Sequence, residues 1–375
     1  MAIRQEARAS VAESITIRTA QPSDGTALMR AVAQIDAETE FLGVPGQPHP
    51  WAAQPEVELR TLNQTGRGVV LLAERERGEI VGYLSAFCGH FARNNGSIFI
   101  AVIGLREAWR GQGIGTRLFG EIEAWARLRR SWRLDLRVSS LNERGLALYR
   151  KRGFEIEGRI RGGVLRRGAW TDDFWMGKLL EPLPGKPAAV LDEAPARASP
   201  SAAARPALRE MRPGDGAAFR ACELELCERL SAFALNQPGE VAPAEAIERD
   251  IARGGDPRLW LVATVPHGWR GERIVGFASG GIEYGFRMQN DAFVSLNVLP
   301  EWSGQGVGRA LHERIEDWAR GQGVRRLTAA VQAPNLAGRA FAAALGYDEE
   351  VTMRSYSLIG GRMVDRLRLG KLFAE

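Results

Sequence analysis

Arg110-Gly111-Gln112-Gly113-Ile114-Gly115 is the run of residues whose types and spacing point most directly to chemistry. Glycines at alternate positions let the backbone turn so that successive N–H groups converge on one point. An apolar stretch, residues 97–105, precedes the run, and an amphipathic pattern with Ile114, Leu118, Ile122 and Trp125 on one face follows it. The loop therefore sits at a predicted helix N-terminus, whose partial positive charge suits phosphate oxygens. Arg110 adds a full charge beyond what neutral backbone donors offer. A Walker A loop is excluded, because no Lys-Ser/Thr pair follows the last glycine at the required position. A dinucleotide fingerprint fails too, since its third glycine would fall on Thr116. From the loop alone, an anion cradle and a plain structural turn both stay open.

The loop occurs twice. Trp109-Arg-Gly-Gln-Gly-Ile-Gly115 is matched by Trp302-Ser-Gly-Gln-Gly-Val-Gly308, and Ile80-Val-Gly-Tyr83 by Ile274-Val-Gly-Phe277. Gly113 and Gly306, Gly153 and Gly346, and Gly177 and Gly370 each stand 193 positions apart. So long a period marks a duplicated domain and not a solenoid. Between the copies, residues 181–206 are dominated by Pro, Ala and Gly and read as a semi-extended linker. The expected organisation is a tail at 1–13, a domain at 14–180, the linker at 181–206 and a second domain at 207–375.

Each copy patterns as mixed α/β. In the first, residues 15–18 read as a strand, and Asp24 stands as an N-cap before helical apolar spacing at Leu28, Val32 and Ile35. Residues 69–73 and 80–87 read as paired strands turning at Gly78. After the glycine loop and its helix, Leu134, Leu136 and Val138 alternate as in a strand. A short helix over 142–152 and two strands around Arg167-Gly168 complete the unit.

Composition narrows the function. The chain has 375 residues, 45% hydrophobic and 25% charged, with no apolar run of the length a membrane span requires. No signal-peptide segment opens it, so a cytoplasmic protein is expected. Three cysteines and four scattered histidines give neither a disulfide framework nor a metal site. The net charge of +5 is spread over helices and loops without an aromatic-interleaved stripe, which favours a polyanionic cofactor over nucleic acid.

The run Leu105-Arg-Glu-Ala-Trp-Arg110-Gly-Gln-Gly-Ile-Gly-Thr-Arg-Leu resembles the acetyl-CoA loop of the GNAT superfamily. Downstream, Asn142…Tyr149-x-x-x-Gly153-Phe154 resembles that family's second motif. The resemblance spans each repeat from first strand to last. It implies two tandem GNAT folds, each a splayed mixed sheet flanked by helices, with the pantetheine arm of acetyl-CoA between the fourth and fifth strands. It further implies that the backbone of Gln112, Gly113, Ile114, Gly115 and Thr116 holds the pyrophosphate beside Arg110 and Gly111. By the same likeness Leu105 pairs with the pantetheine, Asn142 touches the cofactor, and Tyr149 is the acid that protonates the leaving thiolate.

In the second copy, Gly304, Gln305, Gly306, Val307, Gly308 and Asn335 keep the cofactor pattern, but Ser303 replaces Arg110 and Ala342 replaces Tyr149. That copy is accordingly expected to be silent or weaker, as a structural partner or a second CoA site. For the first copy the resemblance is to bacterial amino-acid and small-amine N-acetyltransferases. The segment from Ala37 through Pro45-Gly46 to Trp51 lies where relatives build the acceptor pocket, and Glu38 and Glu40 there suit a cationic amine. No acid stands in 97–105 to serve as general base, which leaves Glu38, Glu40, Asp172, Asp173 or a water relay. The expected partner is a small-molecule amine, with the chain a monomer by its duplication or a homodimer. A protein or peptide acceptor and a CoA-sensing scaffold are the alternatives.

Overall fold

A computed structural model of the chain describes residues 15–43, 49, 51–89, 94, 96–166, 168–187, 205–230, 238–253, 258–267, 271–282 and 291–373. The tail 1–13, Pro45-Gly46, Arg167 and most of the linker lie outside the described residues. Two compact units divide between Pro184 and Gly185.

The first unit runs β1 (Thr16–Thr19), α1 (Gly25–Ala37), α2 (Pro55–Thr65), β2 (Gly68–Arg75), β3 (Glu79–Cys88), β4 (Ser97–Leu105), α3 (Ile114–Leu128), β5 (Arg133–Ser139), α4 (Glu143–Lys151), β6 (Glu155–Arg166) and β7 (Ala169–Leu179). Its sheet order is β1-β2-β3-β4-β5-β7-β6, antiparallel except for the parallel β4–β5 pair. The alternation of β2 shows how the sheet is covered. Val69, Leu71 and Ala73 join Ile114, Leu118, Phe119 and Ile122 of α3 on one face. Val70 and Leu72 join Leu28 and Ile35 of α1 and Leu59 of α2 on the other. Each such fully buried side chain stabilises the unit by about 1.5–3 kcal/mol. Helix α2 has no forerunner in the pattern reading. Pro55 opens it, and Gly66 closes it at φ 61.

One local expectation is corrected. Asp24 is not a side-chain cap of α1; its carboxylate instead accepts from the Arg18 guanidinium at 2.6 Å and from the Gln21 amide at 2.7 Å. An arginine on the neighbouring strand competes better for the carboxylate than a neutral helix amide does. Asp215 repeats the arrangement with Arg209 at 2.7 Å.

The second unit comprises β8 (Lys186–Pro187), β9 (Ala207–Glu210), α5 (Gly216–Arg229), α6 (Ala244–Arg253), β10 (Arg258–Pro266), β11 (Glu272–Ile282), β12 (Asp291–Val298), α7 (Val307–Gly321), β13 (Arg326–Gln332), α8 (Leu336–Ala344), β14 (Asp348–Ile359) and β15 (Arg362–Leu372). Its order, β9-β10-β11-β12-β13-β15-β14, repeats the first, with β12–β13 the parallel pair along it and β8 pairing with β15, also in parallel, off that path. Lys186 and Pro187, inside the stretch read as linker, pair with Arg362 and Met363 of β15.

Candidate active site

The parallel pair opens the sheet. β4 and β5 pair only over Ser97–Ile100 and Arg133–Leu136, although β4 continues to Leu105 and β5 to Ser139. A β-bulge lies at the point of divergence: Ser85 of β3 faces Val102 and Ala86 faces Ile100, which leaves Ala101 extra. The bulge also changes phase. Ile98 and Ile100 face the α3 core, and so do Ile103 and Leu105 beyond it, whereas Val102 turns to the α1 core. In the second unit β12 and β13 pair over three residues each before parting, but β11 and β12 pair without interruption. The sequence carries the reason. Ile80 and Ile274 stand 194 apart while Gly113 and Gly306 stand 193 apart, so one residue is missing from the second copy. The two registers identify it as the counterpart of Ala101.

The glycine loop stands at the mouth of this splay, between β4 and α3. Gly111 and Gly113 take φ of 74 and 83, and a Cβ added to either would point into open space. L-residues rarely adopt that region, so glycine is what allows the turn. The first-turn amides of α3 have no side-chain cap and no acidic neighbour in that turn, which leaves the helix's positive end uncompensated. Gln112 ties the loop down by donating to the Ala108 carbonyl at 2.7 Å, as Gln305 does to Glu301 at 2.6 Å. Gly304 and Gly306 repeat the conformation at φ 76 and 84, with Val307 and Gly308 opening α7. An anionic pyrophosphate fits both cradles.

Arg110 does not extend the cradle. Its Nε donates to the Leu105 carbonyl at 2.9 Å, and both terminal nitrogens donate to the Glu38 carbonyl at 3.3 Å. The Glu38 carboxylate in turn accepts from Arg106 at 2.7 Å and from the Glu107 amide. Burial raises its pKa, but those donors prevail and hold it below the ordinary carboxylate value. Glu38 thus fastens the end of α1 to the glycine loop. Glu40 is exposed, and its carbonyl accepts from Arg166. Asp172 accepts from the Gly162 amide at 2.7 Å and pairs with Arg159. Its counterpart Asp365 likewise accepts from the Ser355 amide at 2.8 Å, so both copies use this aspartate to hold the irregular stretch of a hairpin. Asn142 and Asn335 act as N-caps, accepting from Gly145 and Gly338 at 2.9 and 2.8 Å.

Inside the splay the two copies part company. In the first, Tyr149 of α4 is 9% exposed and packs edge-on against Phe119 and Phe154, at 5.8 and 6.2 Å between centroids. Burial pushes its phenol up to about 12. On the strands, Arg137 donates to Asp173 Oδ2 at 2.7 Å, while the buried Oδ1 of Asp173 has no hydrogen-bond partner. In the second copy the aromatic trio becomes His312, Ala342 and Tyr347, and the His312 Nε2 and Tyr347 hydroxyl lie 3.0 Å apart. The ion pair becomes Ala330 and Arg366. A cavity of about 170 Å³ opens there between β12 and β13, with Ala342, Gln332 and Arg366 in its wall. Neither the bulge nor the inverted charge was read from the sequence. A one-residue change in repeat spacing signalled the first, and aligning the copies at 193 would have shown the second.

The model of the acetyltransferase (GNAT) family matches residues 25–154 and again 225–347. The L-amino acid N-acetyltransferase AaaT of Escherichia coli K12 is 28% identical over 172 residues, 44% of this chain and 98% of that protein. The L-methionine sulfoximine/L-methionine sulfone acetyltransferase of Pseudomonas paraeruginosa is 28% identical over 123 residues, 32% of this chain and 69% of that protein. Among solved structures, a GNAT acetyltransferase from Streptococcus pneumoniae aligns with TM-score 0.42 and 27% identity, over 44% of this chain and 99% of that one. The chain belongs to the acetyltransferase (GNAT) family, carries its domain twice, and is an N-acetyltransferase that uses acetyl-CoA.

Proposed function

We propose that the first unit transfers the acetyl group of acetyl-CoA to the primary amine of a small molecule of amino-acid, polyamine or amino-sugar type. The observation that carries this is the bulged, splayed β4–β5 pair followed by the uncapped glycine loop, and the buried Tyr149 and the Asp173 oxygen without a partner support it as acid and base. The amino-acid acceptors named for the E. coli and Pseudomonas relatives support the acceptor class.

When bound, acetyl-CoA supplies an activated acyl group as a thioester; the remaining tasks fall to this chain. The amides of Gln112 to Thr116 hold the pyrophosphate, and Arg110 positions the end of β4 through the Leu105 carbonyl. Tyr149 would donate a hydrogen bond to the sulfur of the bound thioester. A phenol near 12 gives its proton to a thiolate of ordinary basicity, near 8.5, only at an uphill cost of about 5 kcal/mol. Donation without complete transfer is therefore its main contribution, worth about 1.5–3 kcal/mol to a developing charge. Of the acids considered for the base, Glu38 and Asp172 are held by arginines and amides. Asp173 keeps one buried oxygen without a partner, and its counterpart Arg366 lines the cavity of the second unit. Asp173 takes the proton that the attacking nitrogen loses.

Thiol release by the full chain, measured over a panel of amino acids, polyamines, amino sugars and peptides, tests this. Turnover of at least one small amine is expected, with kcat reduced on the order of 100-fold by Asp173→Asn and 10-fold or more by Tyr149→Phe at unchanged acetyl-CoA affinity. Release with peptides alone, or turnover indifferent to both substitutions, would overturn it.

A further inference from the structure

The cavity of the second unit is more than the hole left by a missing tyrosine. Its wall contains Gln332 and Arg366, which face each other as cross-strand partners on β13 and β15. Side chains so placed start about 5 Å apart on one side of the sheet. Gln332 is 7% exposed; its amide nitrogen donates to Ser357 at 3.1 Å, and its carbonyl oxygen is buried with no partner. Arg366 lies against the Tyr356 ring, 5.5 Å from its centroid, and no carboxylate among the described residues pairs with it. In the first unit Asp173 stands at the place of Arg366, its partner Arg137 at that of Ala330 and Ser139 at that of Gln332, so the duplicate has exchanged a neutral ion pair for an unbalanced cation. Burial, reinforced by the like charge of Arg368, pulls the Arg366 pKa down, a strain that a bound anion relieves. The rest of the cavity is largely apolar, with Phe293, Leu296, Phe341 and Leu345 in its wall.

We propose that this cavity is a second ligand site, which takes a free α-amino acid with a compact apolar side chain. The carboxylate meets Arg366, the neighbouring ammonium donates to the orphaned Gln332 oxygen, and the side chain enters the apolar end. The ligand chemistry follows from the cross-strand pair: a positive group and a bare acceptor a few ångströms apart call for an anion and a donor on adjacent atoms. A volume of about 170 Å³ suits a body of roughly benzene size, since a 150 Å³ apolar cavity admits benzene. The site is distinct from the acceptor site proposed in the first unit, where the charge at this place is reversed.

Calorimetric titration of the full chain with leucine, 3-methylbutylamine and 4-methylpentanoic acid separates the contributions, because the two analogues lack the carboxylate and the amine in turn. Leucine is expected to bind at least tenfold tighter than either, about the value of one charge-assisted hydrogen bond. Arg366→Gln should weaken leucine at least tenfold, and Arg366→Lys should weaken it less. Ala342→Phe, which fills the cavity, should abolish it. Asp173→Asn and Tyr149→Phe, which act on the first unit, should leave it in place. Absence of leucine binding, binding that persists in folded Ala342→Phe protein, or an amine that binds as tightly as the amino acid would overturn the proposal. Loss of leucine binding with Asp173→Asn would place it in the first unit and overturn it as well. Thermal unfolding in the presence and absence of leucine gives an independent readout should either variant be poorly folded, since a bound ligand raises the midpoint only where it binds.

Discussion

Replacing His312 and Tyr347 together by phenylalanine, the residues at the matching places of the first unit, should change how the second unit responds to acid. His312 is 2% exposed, and burial, followed by the positive charge of Lys371, pushes its pKa down to about 4 against the opposing pull of Glu316. The unfolded chain protonates this imidazole near the ordinary 6.5, and the native chain does so only near 4. Between those values the unfolded state holds one more proton, so stability falls as pH falls and levels off below about 4. Integrated from about pH 7.5 to about pH 5, the loss is about 2 kcal/mol. The single change His312→Phe is less informative. It removes the 3.0 Å partner of a buried hydroxyl and adds a pH-independent cost of about 1–3 kcal/mol. Urea unfolding of the full chain at the two pH values, followed by tryptophan fluorescence, makes the measurement. The double variant should lose about 2 kcal/mol less than the parent over the interval. Equal acid sensitivity in parent and double variant would refute a buried, neutral His312.

Three further outcomes follow from the geometry. Gly113→Val places a β-branched residue at φ 83 and should lower acetyl-CoA affinity more than tenfold by calorimetry, with a stability cost of about 1–2 kcal/mol; unchanged titration would remove the loop from the cofactor site. Deleting Ala101 should give β4 the uninterrupted pairing of β12, cutting turnover by an order of magnitude or more while the unit stays folded by circular dichroism; normal turnover would make the bulge incidental. Asp172→Ala should destabilise the first unit by about 1–3 kcal/mol in denaturant and leave the KM for amine unchanged, whereas a tenfold rise in KM would return Asp172 to the acceptor site.

What the sequence discloses of this protein is what repeats or keeps a fixed period. The glycine loop could be placed because an apolar strand and a 3.6-residue pattern flank it, and the duplication because three glycine pairs share one spacing. What escapes is decided by competition among partners that only the fold brings together. Asp24 sits where a cap belongs, but Arg18 reaches it from β1. Arg110 lies beside a phosphate cradle, yet its guanidinium is taken by two carbonyls, one of them 72 residues away. Asp172 is a candidate by its place in a flanking segment, and the hairpin contact that it shares with Asp365 gives it a structural role in both copies. Helix α2 passes unnoticed because its buried residues, Pro55, Leu59 and Leu62, are too few to establish a period.

The differences inside the two splays argue against simple decay of the second copy. Loss of a tyrosine alone would leave an apolar hole, and nothing in such a hole favours polar replacements; burying an imidazole or a phenol unpaired costs about 1–3 kcal/mol. Yet the positions of Phe119 and Phe154 hold His312 and Tyr347, hydrogen-bonded to each other. On the opposite strands an aspartate has become an arginine and its partner an alanine. An arginine half-buried without a carboxylate is likewise unfavourable in the empty protein. That cost and the buried, unpartnered Gln332 oxygen would be offset together by a ligand that presents an anion and a donor to the same wall. In the function proposed above, the first cleft, with its bulge, its phenol and its unpartnered aspartate oxygen, would take a cationic amine beside a thioester. The second, with an unbulged strand and the opposite charge, would take the other end of an amino acid, as proposed.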